Sequence, residues 1–233
     1  MIIAGKIENI KEWFIKAGPQ KGEKQWKKGY SALEFAQKTL SDDFQSDIKI
    51  NILDKISNNQ NILYAFPEYK ASFDNYGEPR HHDLALFCEN DNEKILICFE
   101  AKVNENFDEL LHEKWEKGKK NNSKYHNRIN NILETLIQKK YISEEMGNIR
   151  YQLLTGSMGT IKLAEQQKIK KCVFCIYQLY KNENKIVDIH EQEINDFLKI
   201  LGINKGIENN LLIGPINKNS RIELYLSYIK RKI

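Results

Sequence analysis

His82-Asp83-Leu84-Ala85-Leu86-Phe87-Cys88 and Ile95-Leu96-Ile97-Cys98-Phe99-Glu100-Ala101-Lys102 are two apolar runs joined by Glu89-Asn90-Asp91-Asn92-Glu93-Lys94. Leu, Ile and Phe dominate the runs and the connection holds only polar turn formers, which predicts an antiparallel β-hairpin. With a two- or four-residue loop centred between Asp91 and Asn92, Asp83 falls directly opposite Glu100. Opposed Cβ atoms lie ~4.5 to 5.5 Å apart, and the strand period of two adds Lys102 to the same face. Two carboxylates and an amine are expected to converge there.

Like charges that close repel unless a cation lies between them, and an oxygen-only set with one or two carboxylates suits Mg²⁺ better than zinc or copper, with Mn²⁺ a substitute. Lys102 stands where it could stabilise a developing phosphorane charge or help activate water. Phosphodiester hydrolysis follows from that grouping. The plain alternative is a surface hairpin whose acids and lysine form an ordinary solvated cross-strand pair.

Asp83, sixteen intervening residues and then Glu100-Ala101-Lys102 at the end of an apolar strand resemble the motif of the PD-(D/E)XK nuclease superfamily, with His82 where the motif's name has proline. Gln25-Trp26-Lys27-Lys28-Gly29-Tyr30-Ser31-Ala32, Phe66-Pro67-Glu68, Glu100 to Phe107 and Arg150-Tyr151-Gln152-Leu153-Leu154 extend the likeness to a bacterial, restriction-endonuclease-like branch. The resemblance implies an αβββαβ core, a mixed sheet flanked by helices, with Asp83, Glu100 and the Ala101 carbonyl holding Mg²⁺ and Lys102 assisting the attacking water. It adds Glu68 as the further acid ahead of the hairpin and Gln152 as an auxiliary residue on the helix after the catalytic strand. DNA is the implied substrate ahead of RNA, in an endonuclease of defence or restriction. A homodimer and a protein partner for targeting both fit the superfamily. The competing expectation is a catalytically silent nuclease-fold module that binds nucleic acid or a protein.

The chain has 233 residues with only four prolines and twelve glycines, all scattered, so a single domain is expected over 1–233. Its core would span about 30–180, between a helical extension at 1–29 and a C-terminal helix and strands at 181–233. Hydrophobic residues make up 41% and charged residues 29%, and no apolar run approaches the ~18 residues of a membrane span. The charged residues between Met1 and Ala17 exclude an uninterrupted signal-peptide core, so a cytoplasmic location without membrane attachment is expected. Cys88, Cys98, Cys172 and Cys175 all fall in apolar strands, with the last two pointing to opposite faces, which predicts reduced, buried thiols. A net charge of +4 is modest, so an anionic partner has to meet a local patch.

Along the chain, Ile2 to Ala17 has near-helical spacing, and Ser31 with Glu34 forms a capping-box pattern opening a helix to about Leu40. Asp47 to Ile56 fits either strand or helix. Ile62 to Phe73 should be the first sheet strand. After the hairpin, Lys114, Lys117, Lys119, Lys120, Lys124 and Arg128 surround Tyr125, a candidate phosphate-tracking arm or a solvated face. Asn148 to Lys168, with Gly156, Ser157 and Gly159, predicts a helix lying close on the sheet, and Cys172 to Tyr180 a buried strand beyond it. His190 and the terminal Lys230-Arg231-Lys232 read as solvated surface.

Overall fold

The computed structural model describes residues 1–19, 22–121, 124–139, 144–182, 185–217 and 221–233. Among them, seven strands form one mixed sheet: β1 (Ile2–Ile3), β2 (Asn61–Ala71), β3 (Arg80–Glu89), β4 (Lys94–Lys102), β5 (Lys171–Tyr180), β6 (Leu211–Ile213) and β7 (Glu223–Lys232). Their spatial order is β1-β2-β3-β4-β5-β7-β6. The helices are α1 (Ile10–Ala17), α2 (Ser31–Thr39), α3 (Phe44–Ile48), α4 (Asp54–Ile56), α5 (Leu111–Lys120), α6 (Tyr125–Ile137), α7 (Glu144–Gly147), α8 (Tyr151–Gln166) and α9 (Lys185–Ile200).

The central hairpin forms in the expected register, from Leu84 opposite Phe99 to Glu89 opposite Lys94. Its turn is closed by the Asn90 N–H donating to the Glu93 carbonyl, while Asn90 Oδ1 accepts from the Asn92 and Glu93 amides. β4 then pairs in parallel with β5, and β5 with β7. Strands covered on both faces need continuous apolar runs, and β4 and β5 supply them.

Two cores sandwich the sheet. Cys98, Phe174 and Ile176 face a core built with α6, α8 and α9, whereas Leu84, Leu86, Phe99 and Tyr177 face one built with α1, α2 and α3. A fully buried Leu or Phe contributes about 1.5–3 kcal/mol. All four cysteines are free and buried, with Cys172 in the first core and Cys175 in the second. Gly156 sets the approach of α8: a Cβ there would sit 2.3 Å from the Phe174 ring.

Several local expectations are corrected. Ile2–Ile3 is not helical but a parallel edge strand on Tyr64–Ala65, so the first segment joins the sheet and the helix begins only at Ile10. Asp47 to Ile56 is helical, with a π turn at Lys49–Leu53. Ser31 is the first residue of α2 and makes no cap; Glu34 Oε1 instead accepts from the Gly29 amide at 2.7 Å. The terminal basic triplet belongs to β7, where Arg231 is tied to Asp47 by a bidentate ion pair. His190 is fully buried, its Nδ1 2.6 Å from Gln178 Oε1.

Candidate active site

The site is made by a turning-over of two strands. Along β2, Ala65 belongs to the core beneath α2, whereas Ala71, six residues on, belongs to the opposite one. Strict alternation would put both on one face. The rungs Pro67–Leu84 and Tyr69–His82 bracket Glu68 and Asp83 without a register change, and Glu68 takes a left-handed backbone, φ 50°. β2 and β3 therefore turn over together at this rung, and the β3–β4 ladder ends one step earlier, at Leu84–Phe99.

Asp83 occupies the split. It does not simply oppose Glu100 across a regular ladder; its Oδ2 accepts from the Ala101 amide at 2.6 Å, satisfying a strand N–H that β3 no longer reaches. Glu100 lies alongside at the end of β4, so that Glu68, Asp83 and Glu100 come from three adjacent strands at one level. All three line a cavity of about 510 Å³, together with Arg80, Glu105, Asp108 and Gln152.

Glu100 is the most heavily engaged of the three. Lys102 Nζ and Gln152 Nε2 each lie 2.7 Å from its Oε1, and Arg80 forms an ion pair with its Oε2. Gln152 reaches this position because α8 starts beside the segment after β4. The Tyr151 amide donates to the Glu109 carbonyl, the Leu111 amide to the Ile149 carbonyl, and the Asp108 amide to Gln152 Oε1. Those bonds fix which end of the Gln152 amide faces Glu100.

Burial controls the electrostatics. Desolvation, with the Asp83 charge second, pushes the Glu68 carboxyl up to about 8. Asp83 is also raised by burial, against the pull of the Ala101 amide and Lys102. The Lys102 amine, almost enclosed and 5.1 Å from the Phe107 ring centroid, is brought down to about 8 by desolvation. Buried His82 is held far below its usual value by desolvation, and neither ring nitrogen has a hydrogen-bond partner among the described residues.

The model of a family described as a domain of unknown function, DUF6946, matches residues 6–233. The chain belongs to the DUF6946 family. No curated protein and no solved structure matches it. The DUF6946 chain thus carries its site description in its own geometry.

Of the residues expected at the site, this DUF6946 domain brings Glu68, Asp83, Glu100, Lys102 and Gln152 together. Ala101 is buried and meets Asp83 through its amide. Arg80, Glu105 and Asp108 were not expected. Alternation would have put Arg80 with Leu84 and Leu86, on the far face, and only the turning-over at Glu68 and Asp83 delivers it to Glu100. Glu105 and Asp108 lie in an irregular segment with no periodic signal.

The basic stretch forms α5 and α6 on either side of residues 122 and 123, which lie outside the described residues. Lys117 and Lys119 pair with Glu109 and Glu116, Lys114 lies over the Tyr125 and Tyr151 rings, and Lys120 and Lys124 are exposed. Arg128 is buried over Phe73, pairs with Asp74 at 3.1 Å and donates to the Glu78 carbonyl. It therefore braces the turn before β3, a structural role in place of the expected phosphate contact.

The carboxylate chemistry suits a hard divalent cation: the donors are oxygens, and burial raises the carboxyls of Glu68 and Asp83. Among the described residues no three His, Cys, Asp or Glu side chains stand ready as a metal cluster. Glu100 Oε2 is paired with the Arg80 guanidinium. No helix among the described residues is long and apolar enough to cross a membrane.

Proposed function

We propose that this protein is a metal-dependent nuclease of the PD-(D/E)XK type that hydrolyses DNA phosphodiester bonds. The observation that supports it is the grouping of Glu68, Asp83 and Glu100, from three neighbouring strands, on one cavity with Lys102 and Gln152 fastened to Glu100. Asp83, Glu100 and the Ala101 carbonyl would hold Mg²⁺ or Mn²⁺, with Glu68 beside them. When bound, such a cation lowers the pKa of water and screens the scissile phosphate.

The side chains divide the remaining work. Lys102, enclosed behind Glu100, meets the attacking water or the charge developing on phosphorus. Gln152 holds Glu100 in one orientation, so the carboxylate does not have to reorganise during reaction. Lys120, at the end of α5, and Lys124, just before α6, are exposed and offer charge to the flanking backbone. DNA is preferred to RNA by likeness to the superfamily, as is a role in defence or restriction.

Plasmid and linear DNA, with RNA beside them, should be incubated with Mg²⁺, Mn²⁺ or EDTA. Metal-dependent cutting is expected for the wild type, falling about 10²- to 10⁴-fold in Asp83→Ala and Lys102→Ala. The Arg80–Glu100 ion pair supports a second reading, a silent nuclease-fold module that binds nucleic acid or a protein. A folded wild type that binds DNA and cuts no substrate with any metal would establish that alternative.

A further inference from the structure

Arg80 is the feature of the site that a nuclease reading alone does not explain. Its guanidinium is the partner of Glu100 Oε2, whereas Lys102 and Gln152 share Oε1. The pair is nearly enclosed, with 14% of the Arg80 side chain and 5% of the Glu100 side chain exposed. Arg80 Nε is buried and makes no hydrogen bond among the described residues, which leaves one donor of the fork uncommitted there.

The surroundings of Arg80 give it a second place to go. It lines the main cavity and also an adjoining one of about 250 Å³, whose wall includes Asp108 and Tyr151. The Tyr151 hydroxyl is buried and without a partner among the described residues, and Tyr151 itself is 6% exposed. Gly159 keeps a channel for the arginine stem: a Cβ there would lie 3.1 Å from Arg80 Cγ and 3.2 Å from Arg80 Cβ. The carboxylates of Glu68, Asp83, Glu105 and Asp108 line the main cavity and attract a second positive charge to it; of these Asp108 also faces the adjoining cavity, where Arg128 is already paired with Asp74.

We propose that Arg80 is a resident counter-ion which competes with a divalent cation for Glu100 Oε2, and which cation binding releases toward the adjoining cavity and the phosphodiester. The inference rests on the metal-dependent reading. A guanidinium and a hard cation on the same carboxylate oxygen repel each other and share its charge, so each weakens the other's hold on it. Metal affinity is thereby set partly by an arginine that is not a metal ligand.

Mn²⁺ binding is measured by titration calorimetry on the full chain without nucleic acid, for the wild type, Arg80→Met and Glu100→Gln. Arg80→Met is expected to bind Mn²⁺ about tenfold more tightly than the wild type, the size of one lost competing ion pair, and Glu100→Gln more weakly. Because Arg80→Met leaves buried carboxylates uncompensated, a second measurement uses the wild type alone. The Arg80 Nε–Hε resonance, identified by its absence in Arg80→Lys, should move during a Mg²⁺ titration with the calorimetric midpoint. Unchanged or weaker Mn²⁺ binding in folded Arg80→Met, or a stationary Arg80 resonance at saturating Mg²⁺, overturns the competition while leaving a metal-binding wild type intact. A wild type that binds neither ion removes the metal-dependent reading and this inference together.

Discussion

Gln152 and His82 show how much one side chain depends on its neighbours here. Gln152 touches the candidate metal carboxylate Glu100 at 2.7 Å and is itself held by the Asp108 amide. Gln152→Ala should leave the fold unchanged and reduce metal-dependent cleavage about 10- to 100-fold, mostly through weaker metal binding; cleavage rates measured across a Mg²⁺ series would show the shift. His82 has the opposite character. It is fully buried, lies against Phe174 at a ring separation of 6.4 Å, and offers two nitrogens that no described residue satisfies. An unsatisfied buried polar group costs about 1–3 kcal/mol, so His82→Leu, similar in volume, should unfold at the same or a higher urea midpoint. A loss of more than about 1 kcal/mol would show that the imidazole makes a stabilising polar contact in the folded chain. The motif residues Asp83, Glu100 and Lys102 were legible because strand alternation and a four-residue turn set their spacing. Arg80 was not, because its position depends on a strand that turns over.

At the scale of an element, α8 connects packing to chemistry. It carries Gln152 at its start and, one turn later, lies so close to β5 that Gly156 leaves no space for a methyl group beside Phe174. Gly156→Ala gains helix propensity of about 1 kcal/mol, yet overpacking costs about 1–3 kcal/mol and more when the neighbour is a fixed ring. The net expectation is a lower thermal midpoint together with weaker cleavage, as the displaced helix carries Gln152 away from Glu100. Thermal unfolding and cleavage measured on the same preparation test both, and a raised midpoint with full activity would show that Phe174 moves freely. The small residues of this helix were readable as a close approach. That a π turn and two short helices occupy Asp47 to Ile56 was not, because a short run of isoleucines satisfies either period.

Across the whole molecule, distant segments are joined by buried polar contacts that make stability depend on pH. His190 of α9 links to Gln178 of β5, whose Nε2 donates to the Val103 carbonyl just after Lys102. Burial, with Lys102 second, lowers the His190 imidazole from 6.5 to about 4. In the unfolded chain it takes up a proton below about 6.5, and in the folded chain only near 4, so the unfolded state binds more protons between those limits. The contribution of this group is therefore full above pH 6.5 and is lost as the pH falls toward 4, by on the order of 3 kcal/mol. Urea unfolding at pH 7.5, 5.5 and 4.5 should show a smaller decline in His190→Gln than in the wild type. An identical decline would place the acid sensitivity elsewhere.

The sequence by itself determined the hairpin and its register, the buried parallel strands, the reduced cysteines and the approach of the carboxylates to Lys102. All of these follow from local periodicity, turn chemistry and the need to bury apolar side chains. Only the tertiary structure decided that the sheet splits between β3 and β4, that Asp83 answers the Ala101 amide, and that Arg80 meets Glu100. It also decided that Arg128 and His190 are buried and that Arg231 is half-buried against Asp47. A side chain's partner across more than 100 residues, such as Asp47 for Arg231, depends on how the layers pack, and no local pattern carries that information.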